Sequence, residues 1–151
     1  MDKKQLFKIQ GTFFLDEFSR KKTVLFEGYF VRRGKSEIVG INCENGEAQF
    51  IKGLFINCTQ LIFVEIATDK RSKAGYAFKN VKKAGIYSPY DWLSGVFSGD
   101  DDDISANIQV KRWWNSKKIK EIERKFEDFY KELNDFDKYF FDTTYKLTDY
   151  L

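Results

Sequence analysis

The stretch Phe26-Glu27-Gly28-Tyr29-Phe30, FEGYF, sets a glycine inside a run of aromatics that otherwise reads as a β-strand. Glycine weakens a strand interior, so its presence there points to a geometrical need, either a bend or a close approach of neighbouring backbone. The same device recurs as Ile9-x-Gly11-x-Phe13, Ile51-x-Gly53-x-Phe55 and Leu93-x-Gly95-x-Phe97, with a looser copy at Gly85-x-Tyr87. In each strand, period-2 alternation puts the glycine on the same face as large apolar residues. That face points inward. A glycine there lets a strand coil tightly and lets a ring lie across bare backbone, as a sheet curling on itself requires.

Working outward, Leu6–Leu15 alternates with Phe7, Ile9, Gly11, Phe13 and Leu15 on one face. Val24–Phe30, Ile38–Cys43 and Ala48–Cys58 follow, and Gln60–Ala67 (QLIFVEIA) is nearly continuous in apolar residues, as in a strand covered on both sides. Further strand candidates are Ala74–Lys79, Lys83–Ser88, Leu93–Ser98 and Ile104–Val110. The connectors FSRKK, RRGK, ENGE, SPYD and SGDDDD are short and turn-like, leaving no room for crossover helices. The sequence therefore predicts an antiparallel up-and-down β-barrel of about eight strands over residues 1–115.

Strands of the form hydrophobic-x-Gly-x-aromatic in a meander resemble the calycin-type barrels, the lipocalin-like and avidin-like proteins, over about residues 5–113. Lipocalins carry a Gly-x-Trp near the first strand; here Gly11-Thr12-Phe13 stands in that place with Phe for Trp. The avidin set of biotin-contacting polar residues is not found. The resemblance implies a calycin-like cup able to hold a small apolar molecule, and does not imply biotin. MORN-type arrays also repeat Gly-aromatic units, but their fixed period is missing: Gly11, Gly28, Gly40 and Gly53 are 17, 12 and 13 residues apart.

Residues 116–151 change character, forming a second segment packed on the barrel or on a partner. Ile119, Ile122, Phe126, Phe129, Leu133, Phe136 and Phe140 recur with 3-4 spacing, which predicts one amphipathic helix from about 117 to about 141. Glu121–Lys125 and Glu127–Lys131 support it at i,i+4, and Ser116 is the expected N-cap. Ile122, Phe126, Phe129, Leu133 and Phe136 are the expected interface, in cis or in a homodimer.

Composition narrows the function. The chain has 151 residues with 18% aromatics, one proline and a formal charge of +3, placed as +4 over residues 1–116 and −1 over 117–151. That mild excess permits an anionic partner without demanding one. Histidine is absent, which removes the commonest general base, the Ser-His-Asp and Cys-His arrangements, and most zinc sites. Catalysis is disfavoured, and no cofactor or metal is expected. No apolar run approaches the ~20 residues of a membrane span, and no secretory leader is visible, so a cytoplasmic protein is expected. Cys43 and Cys58 read as small buried hydrophobes.

Three candidate sites remain. Phe13, Phe30, Phe55, Tyr87 and Phe97 would line a cup for a small apolar ligand, unless these rings simply fill the interior. Lys111, Arg112, Trp113, Trp114, Lys117 and Lys118 interleave cations with aromatics, as single-stranded nucleic acid or another anion would require; the plainer reading seats the helix with the tryptophans. Asp100–Asp103 lacks EF-hand spacing and reads as a solvated loop. The leading expectation is a non-enzymatic binding protein for a small apolar molecule. The alternative is a module that binds a protein partner or nucleic acid through its outer surface and C-terminal helix.

Overall fold

The computed structural model describes residues 4–17, 20–44, 46–57, 60–71, 73–83, 90–98 and 104–150. The strands are β1 (Gln5–Glu17), β2 (Arg20–Arg33), β3 (Glu37–Glu44), β4 (Glu47–Ile56), β5 (Gln60–Ala67), β6 (Lys73–Lys83), β7 (Tyr90–Ser98) and β8 (Ile104–Trp113). Each pairs antiparallel with the next in the chain, and β8 pairs antiparallel with β1 through a register running from Leu6 opposite Trp113 to Phe14 opposite Ser105. The strand expected over 74–79 lies within β6, whose pairing with β7 shifts register between Lys79 and Lys82, while the strand expected over 83–88 falls, past Lys83, outside the described residues.

Directly paired residues share a face, so the ladders sort the side chains into two sets. One face carries Phe7, Ile9, Phe30, Ile38, Ile51, Phe55, Leu61 and Phe63, all buried. The other carries Leu6, Val31, Val39, Phe50, Val64 and Ile66, buried beneath the helices. β5 is buried from Leu61 to Ala67 without a break, as its apolar run predicts for a strand covered on both sides.

The glycines stand where the first face is most crowded. Gly28 pairs with Ile9 and Asn42, Gly40 with Phe30 and Ile51, and Gly53 with Ile38 and Phe63. A Cβ on Gly28 would fall 2.7 Å from the Asn42 Cα; on Gly40, 2.8 Å from the Phe30 Cα; on Gly53, 2.6 Å from the Phe63 Cα. Each would also strike a carbonyl oxygen of the adjoining strand. The missing side chain thus makes room for neighbouring backbone.

The C-terminal segment is not one helix. α1 runs Ser116–Lys131 and α2 runs Asp135–Asp142, followed by a 3-10 turn over Thr144–Tyr150. The cap of α1 is Asn115, whose Oδ1 accepts from the Lys118 N–H at 3.1 Å, rather than Ser116. Asn134 caps α2 in the same way, accepting from the Asp137 N–H at 2.8 Å, with Asp135 and Asp137 in the first turn. This second cap interrupts the 3-4 stripe. Ile122, Phe126, Phe129 and Leu133 are buried against the sheet, but Phe136 is 69% exposed, and Phe141 takes the core position.

Phe129 stacks on Phe50 with centroids 4.1 Å apart, and Phe141 meets Phe126 at 5.5 Å. Ile122 packs on Leu6 and Val31. Ion pairs frame the contact: Lys4 and Arg33 both reach Glu123, Lys52 reaches Asp142, and Lys73 reaches the buried Asp137. Full burial of a large apolar side chain contributes about 1.5–3 kcal/mol, against roughly 0–1 kcal/mol for a surface ion pair. The rings hold the helices down, and the ion pairs align them.

Candidate functional site

On the face away from the helices, Phe7, Phe30 and Phe55 pack on one another. Phe7 stacks on Phe30 at 5.2 Å, and Phe55 meets them edge-on at 5.3 and 5.6 Å. All three are buried, so Phe30 and Phe55 fill space at this end. Tyr87 lies outside the described residues, as do the side chains of Phe13 and Phe97.

Further along the same face the chemistry changes. Glu65 interrupts the apolar run of β5, and period-2 alternation places it with Leu61 and Phe63. It is 4% exposed. The Asn42 amide donates to one carboxylate oxygen at 3.3 Å and the Tyr76 hydroxyl to the other at 3.0 Å. Glu44 of β3 brings a second negative charge to bear on Glu65, and the Gln49 amide donates to Glu44 at 3.3 Å. Asn42 and Gln49 face each other across the β3–β4 ladder, so register assembles the group from four strands.

Burial, then the negative charge of Glu44, pushes the Glu65 carboxyl well above the usual carboxylate range. Burial raises Glu44 as well, and burial with the Glu65 charge raises Tyr76. No ion pair among the described residues reaches either glutamate. Asn42 Oδ1, Glu44 Oε1 and Gln49 Oε1 are buried with no hydrogen-bond partner among the described residues. Such atoms are rare in a native core.

The basic-aromatic segment is divided by strand alternation. Lys111 and Trp113 lie on the helix side, where Lys8 is paired with both Lys111 and Tyr29. Trp113 meets Tyr29 edge-on at 6.4 Å, with Lys8 and Lys111 over its ring at 5.8 and 5.2 Å. Lys118 lies over Tyr29 at 4.8 Å. Arg112 falls on the other face and covers the ring of Trp114 at 4.2 Å, while Trp114 is 80% exposed. Lys117 is exposed on α1. The six residues therefore form no single surface. A groove of about 200 Å³ beside α1, lined by Lys8, Glu27, Tyr29, Ile41, Lys118 and Lys125, adjoins the helix-side set.

Cys43 is a free, half-buried thiol, and Cys58 and Asp100–Asp103 lie outside the described residues. Among the described residues no three His, Cys, Asp or Glu side chains converge as metal ligands, and no helix is long and apolar enough to cross a membrane. Comparison of the chain with protein-family models, curated proteins and solved structures returns no match.

Sequence reasoning missed Asn42, Glu44, Gln49, Glu65 and Tyr76. A signal for Glu65 was present: a lone glutamate inside an eight-residue strand, QLIFVEIA, otherwise almost wholly apolar. A charge there requires partners.

Proposed function

We propose that the chain is a non-enzymatic binding protein built as a calycin-type β-barrel, with a small molecule held on the face turned away from the helices. The return of β8 to β1 supports the barrel reading. The observation that carries the binding reading is the buried polar group around Glu65, with three acceptors that have no partner among the described residues, on the face that also carries Phe7, Phe30, Phe55 and Phe63. A buried unsatisfied polar atom costs about 1–3 kcal/mol, so a purely structural core gains nothing by keeping three of them. A ligand that supplies donors offsets that cost. Such a molecule is amphipathic rather than wholly apolar: its body meets rings, and its polar end meets Glu65. The absence of histidine from the chain favours binding over acid–base catalysis near neutral pH.

The test is native and denaturing mass spectrometry of the purified protein, with a thermal-shift screen of small molecules. A stoichiometric adduct, or compounds that raise the melting temperature of the parent but not of Glu65→Leu, is expected. A bare chain mass together with a flat screen would sink the reading.

A second reading rests on the helix-side set of Lys8, Lys111, Lys118, Tyr29 and Trp113: single-stranded nucleic acid held by cations and ring faces.

A further inference from the structure

We infer that the group formed by Asn42, Glu44, Gln49, Glu65 and Tyr76 is a site for an organic ammonium ion, a protonated primary amine carried on an apolar body. This rests on the small-molecule reading above and names the chemistry of its ligand.

The hydrogen-bond inventory carries the argument. Asn42 and Gln49 have already spent an amide hydrogen on each carboxylate, Asn42 on Glu65 and Gln49 on Glu44. The atoms of this group left with no partner at all among the described residues are Asn42 Oδ1, Gln49 Oε1 and Glu44 Oε1, each an acceptor. Asn42 is wholly buried and Gln49 is 7% exposed, so bulk water does not serve these two amide oxygens. A primary ammonium group has three donors and no acceptor, which matches three open acceptors. An anion is repelled by two carboxylates, and a neutral carbonyl compound brings no donor.

Charge points the same way. Two glutamates lie in this group with no cation paired to either among the described residues, so a bound cation meets their negative charge unopposed. The surroundings favour an organic cation over a bare metal ion. Phe26 lies opposite Glu44 in the β2–β3 ladder, and Tyr76 stacks on Phe63 at 4.9 Å. Ring faces suit an alkylammonium, whereas a hard divalent ion needs six to eight oxygens and more carboxylates.

Binding is then coupled to protons. With its carboxyl raised by burial and by Glu44, Glu65 takes up a proton more readily than an ordinary carboxylate, and an ammonium competes with that proton. The groups that set this balance are Glu44 from β3, Glu47 from β4, Glu65 from β5 and Tyr76 from β6. Affinity for an amine rises with pH until the amine itself loses its proton.

The experiment is titration calorimetry of the full chain with 2-phenylethylamine, its neutral analogue 2-phenylethanol, and calcium chloride, at pH 5.5 and pH 8. The amine is expected to bind more tightly at pH 8, with proton release seen as heats that depend on the buffer. Glu65→Gln and the half-buried Glu44→Gln are each expected to weaken the amine tenfold or more and to leave the alcohol unchanged. Because Glu44 is less buried, its variant tests the site even if Glu65→Gln folds poorly. Equal binding of amine and alcohol overturns the ammonium assignment and leaves the small-molecule reading standing. Calcium binding lost in both variants, without amine binding, overturns it in favour of a metal. Binding of none of the three overturns it outright, and the mass-spectrometric test above then decides the broader reading separately.

Discussion

Gly53 lies opposite Phe63 in the β4–β5 ladder, and a Cβ at that glycine would sit 2.6 Å from the Phe63 Cα. An unstrained Gly→Ala change stabilises a protein by about 0.4–1 kcal/mol through the unfolded chain. Here the sign reverses, because backbone rather than a flexible side-chain end must move. Gly53→Ala and Gly28→Val are expected to lower stability by about 1–3 kcal/mol or more in a urea titration. Parent-like midpoints for both would show that the strands do not approach as described.

Phe129 and Phe136 belong to one stripe in the sequence but stand in opposite environments, 6% and 69% exposed. Phe129→Asp buries an unpaired charge against Phe50 and should lose several kcal/mol, unfolding much of the protein. Phe136→Asp should stay within about 0.5 kcal/mol of the parent. Light scattering alongside the denaturation curve separates this from a dimer interface. A stable, folded monomer produced by Phe129→Asp from a dimeric parent would mean that the helix docks on another chain.

Burial, and then the Glu44 charge, holds the Glu65 carboxyl well above the usual carboxylate range in the fold. A raised acid favours the folded state fully below the unfolded pKa, and that contribution is lost as pH rises through the folded one. Parent stability should therefore decline on going from about pH 4.5 upward, with Glu44, also raised, adding in the same direction. Glu65→Gln should flatten the decline and be the more stable protein at neutral pH. Thermal melts at a series of pH values read this directly; parallel curves for parent and variant would contradict it.

If the helix-side cations hold phosphates, binding of a single-stranded oligonucleotide will weaken steeply with salt. Replacing Lys8, Lys111 and Lys118 together by Gln should reduce the slope of log affinity against log salt by about two to three. Filter retention at low salt provides the measurement, and no retention of RNA or DNA by the parent removes the second reading.

Local pattern was enough for β5, whose apolar run marks its limits, and for the buried positions of α1, whose 3-4 spacing survives in Ile122, Phe126, Phe129 and Leu133. The break after Leu133 was harder to read, because Asn134 acts through a hydrogen bond to Asp137 while the apolar spacing continues unbroken through it. The group around Glu65 was largely hidden for a different reason. Asn42, Gln49 and Tyr76 are unremarkable residues on separate strands, and only the register of three successive ladders brings them together around Glu44 and Glu65. The basic-aromatic run misled in the opposite sense, since adjacency in a strand sends Lys111 and Arg112 to different faces.

The pairing of Leu6 with Trp113 also bears on how the chain reaches its fold. Every other ladder joins strands that follow one another, so each can zip from its own turn with little loop entropy to overcome. β1 with β8 is the exception, and α1 begins three residues after that ladder ends. Ile122 cannot find Leu6 and Val31 until β1 and β2 are in register. The slow event in refolding is then the meeting of the first strand with the last, and the helix acts as a latch that sets only after the seam is made.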